Sequence, residues 1–185
     1  MVEIVHTIEP AASGRASCRG CGEKIAKGEL RLGARLPNPY GDGELTLWFH
    51  LACGAYKRPE PYLEAARSTT ETIDNAEWLG TEAKRSLEYR RLPRLNGADR
   101  APCGRARCRS CREPIEKNTW RISVVYYDEE VGRFEPSGFI HAKCAKDYFG
   151  TNDVIDRLKH FSPTLGESDV DEIRSELKDS AESTS

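Results

Sequence analysis

Gly14-Arg15-Ala16-Ser17-Cys18-Arg19-Gly20-Cys21 returns ninety residues on as Gly104-Arg105-Ala106-Arg107-Cys108-Arg109-Ser110-Cys111, and these two octets decide how the chain is built. Laid over one another, residues 14–32 and 104–122 share ten identities in nineteen positions, which marks a duplicated module. Each copy then reaches a second cluster: His50-Leu51-Ala52-Cys53 in the first, His141-Ala142-Lys143-Cys144 in the second. The pattern C-x2-C, 28 or 29 residues, H-x2-C therefore occurs twice and consumes six of seven cysteines and two of four histidines. A C-x2-C turn sets two thiolates on one side of a tetrahedral ion, and an H-x2-C pair entering a helix supplies the other two corners. Cys18, Cys21, His50 and Cys53 form one expected zinc site; Cys108, Cys111, His141 and Cys144 form the other. Four protein ligands leave no position for an activated water, so both Zn2+ ions are expected to be structural.

Composition explains why the chain needs them. Of 185 residues, 38% are hydrophobic and 31% charged, and the mean hydropathy is −0.65, so two separate small cores are each short of apolar material. Zinc binding, worth about 10–16 kcal/mol in small peptides, offsets that shortage. Three thiolates, a neutral imidazole and Zn2+ leave each site at −1, which takes the formal charge from −2 to −4. The first ten residues carry no long apolar run of the secretory kind, and no stretch approaches the roughly 20 apolar residues of a membrane span. A reducing, intracellular setting is expected, with the chain a monomer in isolation. That means the nucleus in a eukaryote, or the cytoplasm or nucleoid in a bacterium. Cys103, opposite Ser13 in the repeat, is read as a spare thiol, and His6 and His160 as ordinary packing or surface residues.

Charge is unevenly spread. Residues 164–185 hold seven acids and two bases, while residues 84–112 hold ten bases and two acids. Most of those bases are arginine, whose planar fork suits phosphate.

Period-two alternation after each C-x2-C predicts a strand. Leu30, Leu32, Ala34 and Leu36 take one face, with Arg31 and Arg35 on the other; Trp120, Ile122 and Val124 point inward, with Arg121 and Ser123 outward. Arg31 and Arg121 are thus expected at equivalent solvent-facing positions. Return strands at residues 45–50 and 134–141 deliver the histidines. Thr81 is expected to cap a helix reaching about Arg91, which Pro93 stops, and another helix is expected from about Asp153 to His160. Val170, Ile173 and Leu177 make an apolar stripe expected to pack on the core. The predicted fold is α+β: two small zinc-stabilised modules, each a short antiparallel sheet with helices. The first takes residues 1–92, a basic linker 93–102, the second module 103–178, and a disordered acidic tail 179–185.

The run Ser13-Gly14-Arg15-Ala16-Ser17-Cys18-x2-Cys21, then Glu23-x-Ile25, Leu30-Arg31-Leu32, Asp42-Gly43 and Trp48-Phe49-His50-x2-Cys53, resembles the poly(ADP-ribose) polymerase-type zinc finger. The second copy matches through Gly104-Arg105, Cys108, Cys111, Ile115, Lys117, Arg121, His141 and Cys144, and Leu158-Lys159-His160-Phe161-Ser162 is similar to the end of that family's second finger. The resemblance implies recognition of DNA strand breaks. Arg15, Arg31, Arg105 and Arg121 would approach phosphates, while an apolar loop caps the base pair exposed where stacking stops. Where the family often carries a large apolar residue before Asp-Gly, this chain has Gly41, so Tyr40 and Leu45 are the first module's capping candidates. Val131 and Phe134 are those of the second.

The expected function is sequence-independent binding of nicks, gaps or ends in DNA, without catalysis, because in the resembling family catalysis belongs to a separate large domain. Two rivals remain: a subunit of a break-dependent enzyme, or a protein-interaction module that meets a repair partner through its acidic tail.

Overall fold

The computed structural model describes residues 3–182, with the side chains of the last helix described as far as Asp179. The chain divides into two compact units. The first holds the residues up to Glu88 together with Tyr127–Phe134; the second holds Tyr89–Tyr126 and the residues from Glu135 onward.

In the first unit, β1 (Thr7–Pro10), β2 (Leu30–Pro37) and β3 (Glu44–His50) form an antiparallel sheet in that order. Glu9 pairs with Arg31, and Arg31 with His50; Gly33 pairs with Trp48. Ile8, Leu32, Leu47 and Phe49 are buried on one face. Two helices cover that face, α1 (Leu51–Lys57) and α2 (Pro59–Ser68), and α3 (Ala76–Glu88) packs against both. Gly54 lets α1 approach the sheet, since a Cβ there would stand 2.7 Å from Leu32 Cδ2. α2 starts on proline, whose missing N–H is an orphan at that position anyway. α3 starts at Ala76, five residues before the expected cap. Thr81 instead lies inside it, its Oγ1 donating to the Glu77 carbonyl (3.0 Å), while Asn75 with φ 57 breaks the chain ahead of the helix. Leu79, Ala83 and Ser86 form the buried face that sets this earlier start.

In the second unit, β4 (Leu95–Arg100), β5 (Trp120–Asp128) and β6 (Arg133–His141) form the sheet. β4 lies where a linker was expected, and the reason is packing: Leu92 in a short 3-10 turn, Leu95 and Ala101 are each at most 1% exposed. The same ninety-residue offset carries Thr7–Pro10 onto residues 97–100, so β4 is the repeat of β1. Short α4 (Ala145–Phe149), α5 (Ile155–Phe161) and α6 (Glu167–Glu182) complete the unit. Ser162, just past α5, closes on β4: Ala98 N–H donates to its Oγ (2.9 Å), beside Gly97 with φ 119. Val170, Ile173 and Leu177 are buried, as their spacing predicts. That stripe carries α6 to Glu182, past Lys178 where the chain was expected to fray; residues 183–185 of the expected tail lie outside the described residues. No described helix is long and apolar enough to cross a membrane.

Candidate metal centres and nucleic-acid interface

Both C-x2-C segments fold into the same turn. In the first, Cys18 N–H donates to Glu23 O (2.8 Å), Gly22 N–H to Cys18 O (2.8 Å) and Gly20 N–H to Cys18 Sγ (3.3 Å). In the second, Cys108 N–H donates to Glu113 O (2.9 Å), Arg112 N–H to Cys108 O (3.0 Å) and Ser110 N–H to Cys108 Sγ (3.4 Å). The turn needs a positive φ at its last residue, met by Gly22 (82) in one copy and by Arg112 (70) in the other. Arg19 N–H to Trp48 O (2.9 Å) and Arg109 N–H to Phe139 O (2.8 Å) tie each turn to the strand that brings the histidine.

The four donor atoms of each cluster lie within 4.8 Å of one another. Sulfurs around a tetrahedral zinc with 2.3 Å bonds stand about 3.8 Å apart, so the donors need only small movements to close on an ion. His50 turns Nδ1 to Cys21 Sγ (3.3 Å) and Cys53 Sγ (4.0 Å), and its Nε2–H donates to Lys24 O (3.3 Å). His141 does the same with Cys111 (3.4 Å), Cys144 (3.8 Å) and Pro114 O (3.0 Å). A carbonyl on Nε2 fixes the tautomer that leaves Nδ1 free to ligate. Hydrogen bonds with Cys53 pull the Cys18 thiol down to about 6 and the Cys21 thiol to about 5, and those same bonds drive Cys53 upward. In the second cluster burial pushes Cys144 up; Cys108 is held low against its burial by backbone N–H donors. Three sulfurs this close cannot all shed protons without a cation between them. Both clusters therefore fit zinc.

On the sheet face away from the core, each unit carries an arginine laid on an aromatic ring. Arg31 Cζ lies 3.5 Å from the Trp48 ring centroid, and its Nη2 donates to Glu9 Oε1 (3.2 Å). Arg121 Cζ lies 3.6 Å from the Phe139 ring, with Nε and Nη2 donating to the two Asp99 oxygens at 2.9 Å each. The two arginines do occupy equivalent positions. They are not solvent-facing as expected, because ring and carboxylate cover them and leave the side chains 9% and 11% exposed. Arg15 and Arg105 are exposed, without an intramolecular side-chain partner among the described residues.

The capping candidates separate. Tyr40 is 81% exposed, in a loop held by Asn38, whose N–H donates to Gly43 O (3.0 Å); Leu45 is half-buried opposite Leu36. Val131 and Phe134 belong to the first unit and are half-buried there, with Phe134 edge-on to Phe49 (6.4 Å) and 5.0 Å from Tyr127. A cleft of about 560 Å3 beside the first zinc turn is lined in part by Ser17, Arg19, Thr46, Trp48, Arg133 and Phe134, two guanidinium-bearing side chains and two aromatic rings among them. Sequence reasoning missed Glu9 and Asp99, and did not connect Trp48 and Phe139 with the arginines. Extending the ninety-residue offset upstream of Gly14 would have aligned Glu9 with Asp99.

This geometry defines a tandem Cys3His zinc-finger protein. Residues 9–90 match the family of the poly(ADP-ribose) polymerase and DNA-ligase zinc-finger region. A poly(ADP-ribose) polymerase of Sarcophaga peregrina is 31% identical over 148 residues, 71% of this chain and 15% of that protein. Poly(ADP-ribose) polymerase 1 of Gallus gallus is 33% identical over 140 residues, 64% of this chain and 13% of the relative; that of Xenopus laevis is 28% identical over 189 residues, covering 90% and 18%. Residues 9–90 thus belong to the poly(ADP-ribose) polymerase-type zinc-finger family, the second module repeats that finger's Cys3His set, and the chain spans about 15% of the length of the relatives it matches.

Proposed function

We propose that this chain binds DNA at strand breaks without reading sequence, gripping phosphates with arginines and covering an exposed base pair with an apolar side chain. The observation that carries the reading is the repeated constellation beside each zinc turn. An arginine lies over an aromatic ring, and a second, exposed arginine stands three residues before the first cysteine ligand. Zinc at both sites would hold the turn against the strand and so fix where those guanidinium groups stand. Phosphate contacts position a protein and carry no sequence information, so selectivity has to come from shape. An intact duplex hides its base faces; a nick or an end exposes one, and stacking on it is worth about 1–3 kcal/mol per base. Tyr40 is the best placed capping side chain by exposure.

Binding, not catalysis, is the role assigned to this chain, since what it matches is the zinc-finger portion of much longer proteins. The reading places it with chromosomal DNA. Gel shifts of nicked against covalently closed duplex at one salt concentration test it: the nicked duplex should bind at least tenfold tighter, and equal affinity rejects break recognition.

A further inference from the structure

The carboxylates on the stacked arginines are as regularly repeated as the zinc ligands. Glu9 pairs across the strands with Arg31, and Asp99 with Arg121; each acid lies ninety residues from its counterpart, as each arginine does. The acids are the exposed members of these pairs, with side chains 43% and 52% accessible against 9% and 11% for the arginines. The two pairs differ in grip. Asp99 takes both Nε–H and Nη2–H of Arg121 at 2.9 Å, which fills one full edge of the fork. Glu9 takes only Nη2–H of Arg31 at 3.2 Å, and Arg31 Nε–H is buried with no hydrogen-bond partner among the described residues.

We propose that Glu9 and Asp99 stand in for phosphate on Arg31 and Arg121, so that each acid weakens the grip of its module, the second module more than the first. The proposal rests on the phosphate-binding reading above. A phosphate reaching Arg121 meets a guanidinium edge already bonded to a carboxylate. It must displace Asp99 or sit beside it, anion against anion. The ring decides the sign of the effect. Phe139 and Trp48 hold the guanidinium planes from below whether or not the carboxylate is present, so removing the acid's charge leaves the arginine in place and frees its donors. Because only one bond holds Arg31, the first module should engage backbone phosphate first, and the second should close only where the DNA also offers the further contacts of a break.

The test uses the full chain with both zinc ions bound. Affinity for nicked duplex is measured across a salt series for wild type, Glu9→Gln, Asp99→Asn and the charge-keeping Asp99→Glu. Asp99→Asn should bind about tenfold tighter at low salt and steepen the log-log salt slope by about 0.9, the value for one more neutralised phosphate. Glu9→Gln should gain about threefold, and Asp99→Glu should behave as wild type. Unchanged affinity and slope, or weaker binding with two zinc ions still held, overturns the proposal, because the acid would then be a structural or orienting partner. Should wild type bind no broken duplex, the phosphate reading in DNA fails and the acids are judged on inorganic phosphate alone. The Arg121 Nε–H resonance must then shift with phosphate in Asp99→Asn and not in wild type, and its failure to do so overturns the proposal separately.

Discussion

Arg15 and Arg31 belong to one module and differ in kind. Arg31 is fixed by Trp48 and Glu9 and has lost most of its water; Arg15 is exposed and free to rotate. A free arginine spends side-chain entropy when it meets a phosphate, and a stacked one has spent it already in folding. Replacing Arg15 or Arg105 by Gln should therefore leave the fold and both zinc ions intact, cut affinity for nicked duplex several-fold, and flatten the salt slope by about 0.9. Zinc counting by native mass spectrometry beside the salt series checks both halves. Loss of an ion from either variant would show that these side chains support the fold. Arg31→Lys is a different experiment. An ammonium cannot lie flat on the indole, so affinity should fall although charge is kept.

At the scale of elements, the sheet is shaped to carry its aromatic ring. A Cβ at Gly33 would stand 2.8 Å from Trp48 Cζ3 and 2.8 Å from Thr7 Oγ1, so glycine is what lets the indole lie against β2. Its repeat equivalent is Ser123, in the module where the ring is the smaller phenyl of Phe139. Gly33→Val should destabilise the first unit by roughly 1–3 kcal/mol and tilt Trp48 away from Arg31. Thermal unfolding reads the first effect. Lower DNA affinity with zinc retained reads the second, from a residue that touches neither phosphate nor metal. Much of this element layer was legible in the sequence, because β2 and the first half of β5 alternate apolar with polar residues and the ligand spacing fixes where each return strand ends. What was hidden is instructive. Residues 93–102 read as a basic linker because Arg94, Asp99 and Arg100 dominate a stretch whose buried members are Leu95, a glycine and Ala101. The outward arginines were legible as a face, but a period-two pattern says only which side a residue takes. It does not reveal the ring and carboxylate that its neighbours in the sheet bring to it.

Across the whole molecule the decisive quantity is how much of the fold depends on metal, and protons can report it. If the zinc-free chain kept its folded clusters, Cys18 and Cys21, pulled down to about 6 and about 5, would already be thiolates at pH 7, leaving Cys53 as the thiol in that site with a proton for zinc to displace. If removing zinc unfolds both units, every cluster thiol returns to an ordinary value near 8.5 and is protonated at pH 7, so each site releases about three protons on binding. A chain with 38% hydrophobic residues divided between two small cores falls on the second side. Chelation should therefore remove two zinc ions per chain and abolish most far-ultraviolet ellipticity, with recovery on adding zinc and none on adding magnesium. Zinc calorimetry in buffers of different ionisation enthalpy at pH 7 should count close to six protons. A count well short of six, with ellipticity kept, would mean that the sheets and helices stand without the ions and that zinc merely pins the two turns beside Arg15 and Arg105.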